Sequence, residues 1–231
     1  MTKLIVTCEH GGNHIPDGFE EYITDPRINL THRAFDSGAY DLYLAISKKY
    51  ADFCLSSRIS RLLTDFNRSP HNRNIYTEYS RTIPSEQKRV LINMYKDYRE
   101  SVIRFIRNSI KRNSTAIHLS IHTFVPVLDG VVRNNDIGIL FDPKKQNEKL
   151  LASRWKYILK NIEPAYKVRF NYPYLGISDG FTTYLRKLFA YNYLGIELEV
   201  NQKHVKNNRI HEKIKERIIQ SIGNLITLYK P

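Results

Sequence analysis

The chain has 231 residues, enough to bury a sizeable core in one domain spanning 1–231. Hydrophobic residues make up 42% and charged residues 26%, a balance that excludes a disordered or fibrous chain. The formal charge of +13 raises a nucleic-acid reading, but the basic residues are spread over 88–112 and 203–215 with no nucleic-acid motif beside them. They read as a solvated surface whose field steers small anions towards a cleft.

No stretch approaches the roughly 20 apolar residues of a membrane span, and Met1 to Cys8 lacks the basic flank and long apolar segment of a leader, so a cytoplasmic protein is expected. Cys8 and Cys54 lie in apolar runs, form no CxxC pair and are expected to be buried thiols.

In chain order, the first expected strand, Leu4 to Cys8, leads into Glu9-His10-Gly11-Gly12-Asn13-His14-Ile15-Pro16. Two glycines permit a sharp turn that presents His10 at the carboxyl edge of a sheet, where open α/β folds place ligands. A plain glycine turn with a hydrogen-bonded histidine is the alternative. A helix is predicted over 36–50 with Asp36 in the capping position, followed by a strand over 53–56. The segment 57–69 then sets Arg58, Arg61, Asn67 and Arg68 beside a polar surface loop over 65–84. Arginine forks match carboxylates bidentately, whereas surface salt bridges are the alternative reading. Long ordered loops in compact domains are usually functional.

Leu91, Met94, Tyr98, Val102, Phe105 and Ile106 fall on one helical stripe, so a helix is predicted over 85–112 with Ser85 as its cap. The next strand, 116–121, continues to His122 and puts His118, Ser120 and His122 on one face. Its two imidazoles stand about 13 Å apart and cannot share one ion. His122 at the strand end is the better ligand candidate, and His118 reads as a buried, hydrogen-bonded residue. Strands over 137–141 and 167–170 flank a helix over 147–161. The strand 194–200 carries Glu197, Glu199 and Asn201 opposite Ile196, Leu198 and Val200. Two carboxylates on a buried strand need partners or a metal; an edge strand with one wet face is the alternative. A closing helix is predicted over 209–229. The alternation of strands and helices implies an α/β fold.

Taken in order, CEHGGNHIP, HRAFDSGA, SRISRLLTDFNRS, HLSIHTFVPVLDGVVRNNDIGILFDP, NYPYLGISDG and GIELEVNQ resemble the N-formylglutamate amidohydrolase family from about residue 5 to 205. The resemblance implies a three-layer α/β/α fold with a mixed central sheet, phosphorylase/hydrolase-like and similar to zinc carboxypeptidases. It also implies hydrolysis of N-formyl-L-glutamate to formate and L-glutamate in histidine breakdown, with Zn2+ or another divalent metal. Carried over by residue, His10, Asp36 and His122 match metal ligands. Zinc carboxypeptidases have a glutamate three residues after the first histidine, where this chain has Asn13. Asp36 fills that gap, with a helix-cap role as its competitor and Glu9 in reserve. Glu199 matches the general base, with Glu197 as runner-up. Asn67 and Arg68 match the pair that holds a substrate carboxylate, and Arg61 and Arg133 are placed to bind a second carboxylate or polarise the scissile carbonyl. The implied partner is a small acidic N-acyl amino acid, with no nucleic acid or membrane. The alternatives are a hydrolase of other N-acyl amino acids or short peptides, and a basic nucleic-acid-binding module on an inactive hydrolase fold.

Overall fold

The strand-forming runs assemble into one six-stranded sheet in a computed structural model that describes residues 1–229. In chain order the elements begin with β1 (Thr2–Cys8), α1 (Ala39–Tyr50), β2 (Phe53–Ser56), α2 (Glu78–Arg81), α3 (Ser85–Lys111) and β3 (Thr115–Phe124). A small hairpin of β4 (Val127–Leu128) and β5 (Val131–Val132) precedes β6 (Ile137–Leu140), α4 (Gln146–Ile162) and β7 (Val168–Phe170). Then come α5 (Phe181–Leu188), β8 (Tyr193–Asn201), the hairpin β9 (Val205–Lys206) and β10 (Arg209–Ile210), and α6 (Glu212–Thr227). The strand order is β2-β1-β3-β8-β6-β7. The first four run parallel; β6 pairs antiparallel to β8, and β7 follows β6 in parallel. The sheet is therefore mixed, as the resemblance implied.

Strand alternation builds the layers. Ile117, Leu119 and Ile121 of β3 and Ile196, Leu198 and Val200 of β8 share one face, covered by Leu42 and Ile46 of α1, Trp155 and Leu159 of α4, and Ile218 and Ile222 of α6. Full burial of each such side chain contributes about 1.5–3 kcal/mol. The opposite face packs Ile5 and Ala116 against Tyr98, Val102 and Ile106 of α3 and Phe181 and Leu185 of α5. Beyond these apolar residues, that face carries Thr7, His118, Ser120, His122, Glu197 and Glu199 in register across β1, β3 and β8. Because β8 lies between β3 and β6, its carboxylates sit in the interior and not on an edge strand.

Several expectations need correction. Gly38, not Asp36, occupies the N-cap of α1, which frees the Asp36 carboxylate from capping. Pro84 holds the cap position of α3, and Ser85 makes no capping hydrogen bond. Cys8 is buried but Cys54 is exposed, because β2 is an edge strand. The segment 65–84 is more than a polar surface loop. It contains α2, capped by Thr77, and it buries Phe66, Ile75 and Ile83. Leu62, Leu63 and Ile83 join Phe19, Phe35 and Leu91 in a third apolar cluster that fixes this segment to the body. Among the described residues no helix is long and apolar enough to cross a membrane.

Candidate metal-binding active site

The chain beyond β1 runs close beside the chain beyond β2, with Gly11 N donating to Ser57 O at 3.0 Å and His14 N to Arg58 O at 2.9 Å. A Cβ on Gly12 would stand 2.7 Å from Arg58 O, so the glycine permits a close approach of two backbones. Neither Gly11 nor Gly12 adopts a left-handed conformation; the turn falls at Glu9–His10, and the two glycines follow it pressed against the neighbouring chain. Asp36 N donates to His10 O at 3.0 Å, which ties the segment before α1 to the same sheet edge.

His10, Asp36 and His122 converge there. Asp36 Oδ2 lies 3.4 Å from His10 Nδ1 and 2.9 Å from His122 Nδ1, and one donor atom from each residue fits within 4.8 Å of the others. Tetrahedral zinc with bonds of about 2.0–2.1 Å holds its donors roughly 3.3 Å apart, so the three side chains suit one such ion. His10 Nε2 lies 2.7 Å from Asp65 Oδ1, which directs the other ring nitrogen towards Asp36. A carboxylate behind the imidazole is the usual support of a metal-bound histidine. Arg61 faces the same group, with Nη1 3.2 Å from His10 Nδ1 and Nη2 3.2 Å from Asp36 Oδ1.

The electrostatics also favour a cation. Glu9, Asp36, Asp65, Glu197 and Glu199 are all buried. Burial alone would push Asp36 and Asp65 up, but Arg61 and His10 beside Asp36, and His10 and Arg61 beside Asp65, hold both below the usual carboxylate range. At Glu199 the compensation from His122 and Arg61 is outweighed. Desolvation, reinforced by Asp36 and Glu197 against the pull of His122, pushes its carboxyl up to about 8, and its Oε2 has no hydrogen-bond partner. Burial lowers His122, but the hydrogen bonds to Asp36 and Glu9 outweigh it and raise the imidazole well above its ordinary value. An unpartnered buried carboxylate oxygen beside a cluster of N and O donors is where a divalent ion relieves repulsion.

Glu199 stands opposite His122 in the β3–β8 ladder and opposite Gly138 in the β6–β8 ladder. A Cβ on Gly138 would lie 2.0 Å from Tyr172 O, so the bare strand position lets the 171–180 segment lie directly on the sheet. The resulting cleft of about 270 Å³ is lined by the strand-end residues His10, Asp36, His122, Glu197 and Glu199, by Arg61, Asn67 and Arg68, and by Tyr174 and Leu175. Glu197 differs from Glu199 in being engaged, since its Oε1 accepts from Thr182 Oγ1 at the start of α5. Asn67 Oδ1 accepts from Phe181 N at 2.7 Å, leaving its NH2 as the free donor. Arg68 Nη1 donates to Asp179 O at 2.8 Å.

Of the predicted site residues, only Arg133 fails to line the cleft. Its guanidinium stacks over the Tyr174 ring at 5.1 Å, and Nη1 donates to Tyr174 Oη at 3.1 Å, so it contacts the cleft through that lining residue. Sequence reasoning missed Asp65 and His32. Asp65 sits two residues before Asn67 inside a quoted motif, a signal that was present but silent about its partner. His32, exposed at the cleft, opens the quoted HRAFDSGA motif, but no role was assigned to it there.

Fold and cleft together define an α/β protein with a candidate site at the carboxyl ends of parallel strands. The chain belongs to the N-formylglutamate amidohydrolase family, whose sequence profile matches residues 2–205, and amidohydrolase activity accompanies that membership. Two solved structures share the fold. A gene product of Agrobacterium tumefaciens is 21% identical with a TM-score of 0.82, the match covering 100% of this chain and 92% of that one. An N-formylglutamate amidohydrolase from Ralstonia eutropha is 14% identical with a TM-score of 0.72, covering 99% and 94%. No curated protein sequence matches the chain.

Proposed function

We propose that this protein is a metal-dependent amidohydrolase that uses zinc or another divalent cation to cleave the acyl amide of an N-acyl acidic amino acid. N-formyl-L-glutamate is the substrate that family membership favours, giving formate and L-glutamate in a cytoplasmic step of histidine breakdown. The observation that carries the reading is the convergence of His10, Asp36 and His122 beside the unpartnered carboxylate of Glu199.

His10, Asp36 and His122 would hold the cation, which when bound supplies Lewis acidity towards the scissile carbonyl and the attacking water. Glu199 takes the proton from that water and returns it to the amide nitrogen as the C–N bond breaks. A cation bound beside it would lower its proton affinity from about 8 towards neutrality, where a general base works best. Arg61, next to Asp36, is placed to stabilise the oxyanion that develops on the carbonyl oxygen. Arg68 and the NH2 of Asn67 would receive the substrate's side-chain carboxylate, and Glu197 holds the start of α5 against the cleft.

Metal analysis, chelation and zinc repletion test the cation. Chelation is expected to abolish turnover and zinc to restore it; full activity in metal-free protein would sink the reading. A substrate panel tests the acid. Replacing the side-chain carboxylate by an amide is expected to cut kcat/KM about 10- to 100-fold, the worth of one charged hydrogen-bonded contact. An unchanged rate would favour a broader N-acyl amino acid or short-peptide hydrolase. That second reading draws on the exposed Tyr174 and Leu175, which leave apolar room at the cleft mouth.

A further inference from the structure

One buried carboxylate next to the site has no place in the proposed chemistry. Glu9 is fully buried and does not line the cleft; its side chain meets Tyr98, Ser120 and His122. Tyr98, reaching in from α3, donates from Oη to Glu9 Oε1 at 2.9 Å. Ser120 Oγ donates to Glu9 Oε2 at 2.5 Å, and the same oxygen lies 3.3 Å from His122 Nε2. Ser120 Oγ is itself 2.8 Å from His122 Nε2.

Counting protons resolves this cluster. A hydroxyl has one hydrogen, and an ionised carboxylate only accepts. With the Ser120 hydrogen committed to Glu9, Ser120 Oγ can meet His122 only as an acceptor, so Nε2 must carry a hydrogen. Glu9 Oε2, the other group facing Nε2, is also an acceptor. In an imidazole with its single hydrogen on Nε2, the lone pair sits on Nδ1, the nitrogen that faces Asp36 at 2.9 Å. Both Glu9 oxygens are thereby occupied, and the residue held in reserve as a ligand is reassigned.

We infer that Glu9, supported by Tyr98 and Ser120, is a positioning residue that fixes His122 in the Nε2–H form, so that Nδ1 is the ligand atom offered to the metal. The inference rests on the proposed metal-binding role of His122. It accounts for a carboxylate in a fully enclosed place, where an anion is costly unless its oxygens are satisfied. It also makes the two histidines equivalent. Each directs Nε2 at a carboxylate, Asp65 for His10 and Glu9 for His122, and each turns Nδ1 towards Asp36.

Glu9→Gln is the decisive variant. With its oxygen still receiving Tyr98, the amide NH2 faces Ser120 and His122 Nε2, and the preferred form of the ring is reversed. Zinc affinity, measured by competition with a chromophoric chelator, is expected to fall about 10- to 100-fold. Saturating zinc is expected to restore kcat, with KM for the acyl amino acid unchanged. Tyr98→Phe, which keeps the ring and removes one hydrogen bond to Glu9, is expected to weaken zinc about two- to fivefold, a smaller loss of the same kind. In zinc-loaded wild-type protein, ¹⁵N shifts of the His122 ring should show Nε2 protonated and Nδ1 ligated. If wild type takes up zinc but Glu9→Gln binds it within about twofold of wild type, or if Nδ1 carries the hydrogen, the positioning role is overturned while the metal site stands. If wild type binds no zinc, both fall. Should Glu9→Gln fail to fold, unchanged zinc affinity in Tyr98→Phe overturns the inference.

Discussion

His118 and His122 lie on the same face of β3, four residues apart, and both are buried, yet their surroundings drive them in opposite directions. His118 is held between neutral hydroxyls, Thr7 Oγ1 at 2.7 Å from Nε2 and Tyr193 Oη at 2.8 Å from Nδ1, and burial pulls its pKa down to about 4. It is a neutral cross-link between β1, β3 and β8. His122 meets Asp36 and Glu9, which raise it well above its ordinary value despite equal burial. An imidazole becomes a cation or a metal ligand through the carboxylates that face it, and enclosure alone makes it a structural hydrogen-bonding group.

Exchanging the two positions is the strongest way to break that contrast. His122→Ala is expected to lose metal and at least about 10³-fold in kcat/KM, because a Lewis acid contributes several kcal/mol to the transition state. His118→Leu should retain metal at full stoichiometry. Retained zinc-dependent turnover in His122→Ala would remove the distinction.

Glu199→Gln sharpens the same division between engaged and free groups. Its kcat is expected to drop about 10²- to 10⁴-fold with metal content intact, the usual worth of a general base. Glu197→Gln should cost far less, since that side chain holds Thr182.

His118→Leu leaves two hydroxyls unpaired in the core and is expected to cost about 2–5 kcal/mol of stability, measurable by urea unfolding. Activity per folded molecule should stay within a few-fold of wild type. A variant as stable as wild type would show that Thr7 and Tyr193 find other partners.

A further expected effect is a pH-dependent gap in metal-free protein. Glu199 titrates near 4.5 when unfolded and near 8 when folded, so the native state binds the extra proton between those values. Its contribution is complete below about pH 4.5 and is lost as pH rises through 8. Glu199→Gln cannot ionise, so its Tm relative to wild type should climb between pH 5 and pH 8.5, by about 2–4 °C for each kcal/mol involved. A gap that is flat with pH would mean Glu199 is solvated.

Much of this arrangement was legible in the residues because period-2 and period-3.6 patterns are local. The six strands of the sheet and the helices α1, α3, α4 and α6 all announce themselves through their apolar spacing. Helix α5 does not. It has eight residues, begins after Gly180 without a side-chain cap, and opens with Thr182 and Thr183, which read equally well as strand. The exposure of Cys54 depends on β2 lying at the edge, a property of strand order that no local pattern carries. The convergence of His10, Asp36 and His122 was accessible through motif order, whereas the supporting roles of Asp65 and Glu9 are matters of a few tenths of an ångström between segments far apart in the chain. The contact of Arg133 with Tyr174 is hidden for the same reason: charge type alone suggests a substrate contact and says nothing of the ring it lies over.

Gly138 carries a consequence for substrate range. Since Tyr172 O rests where a side chain would begin, the height of the roof above Glu199 is set by main-chain thickness alone. Even a methyl group at 138 would lift that roof and carry Tyr174 and Leu175 outward with it. In the proposed reaction, room for a bulkier acyl group would thus be governed from a strand residue that itself lies outside the cleft.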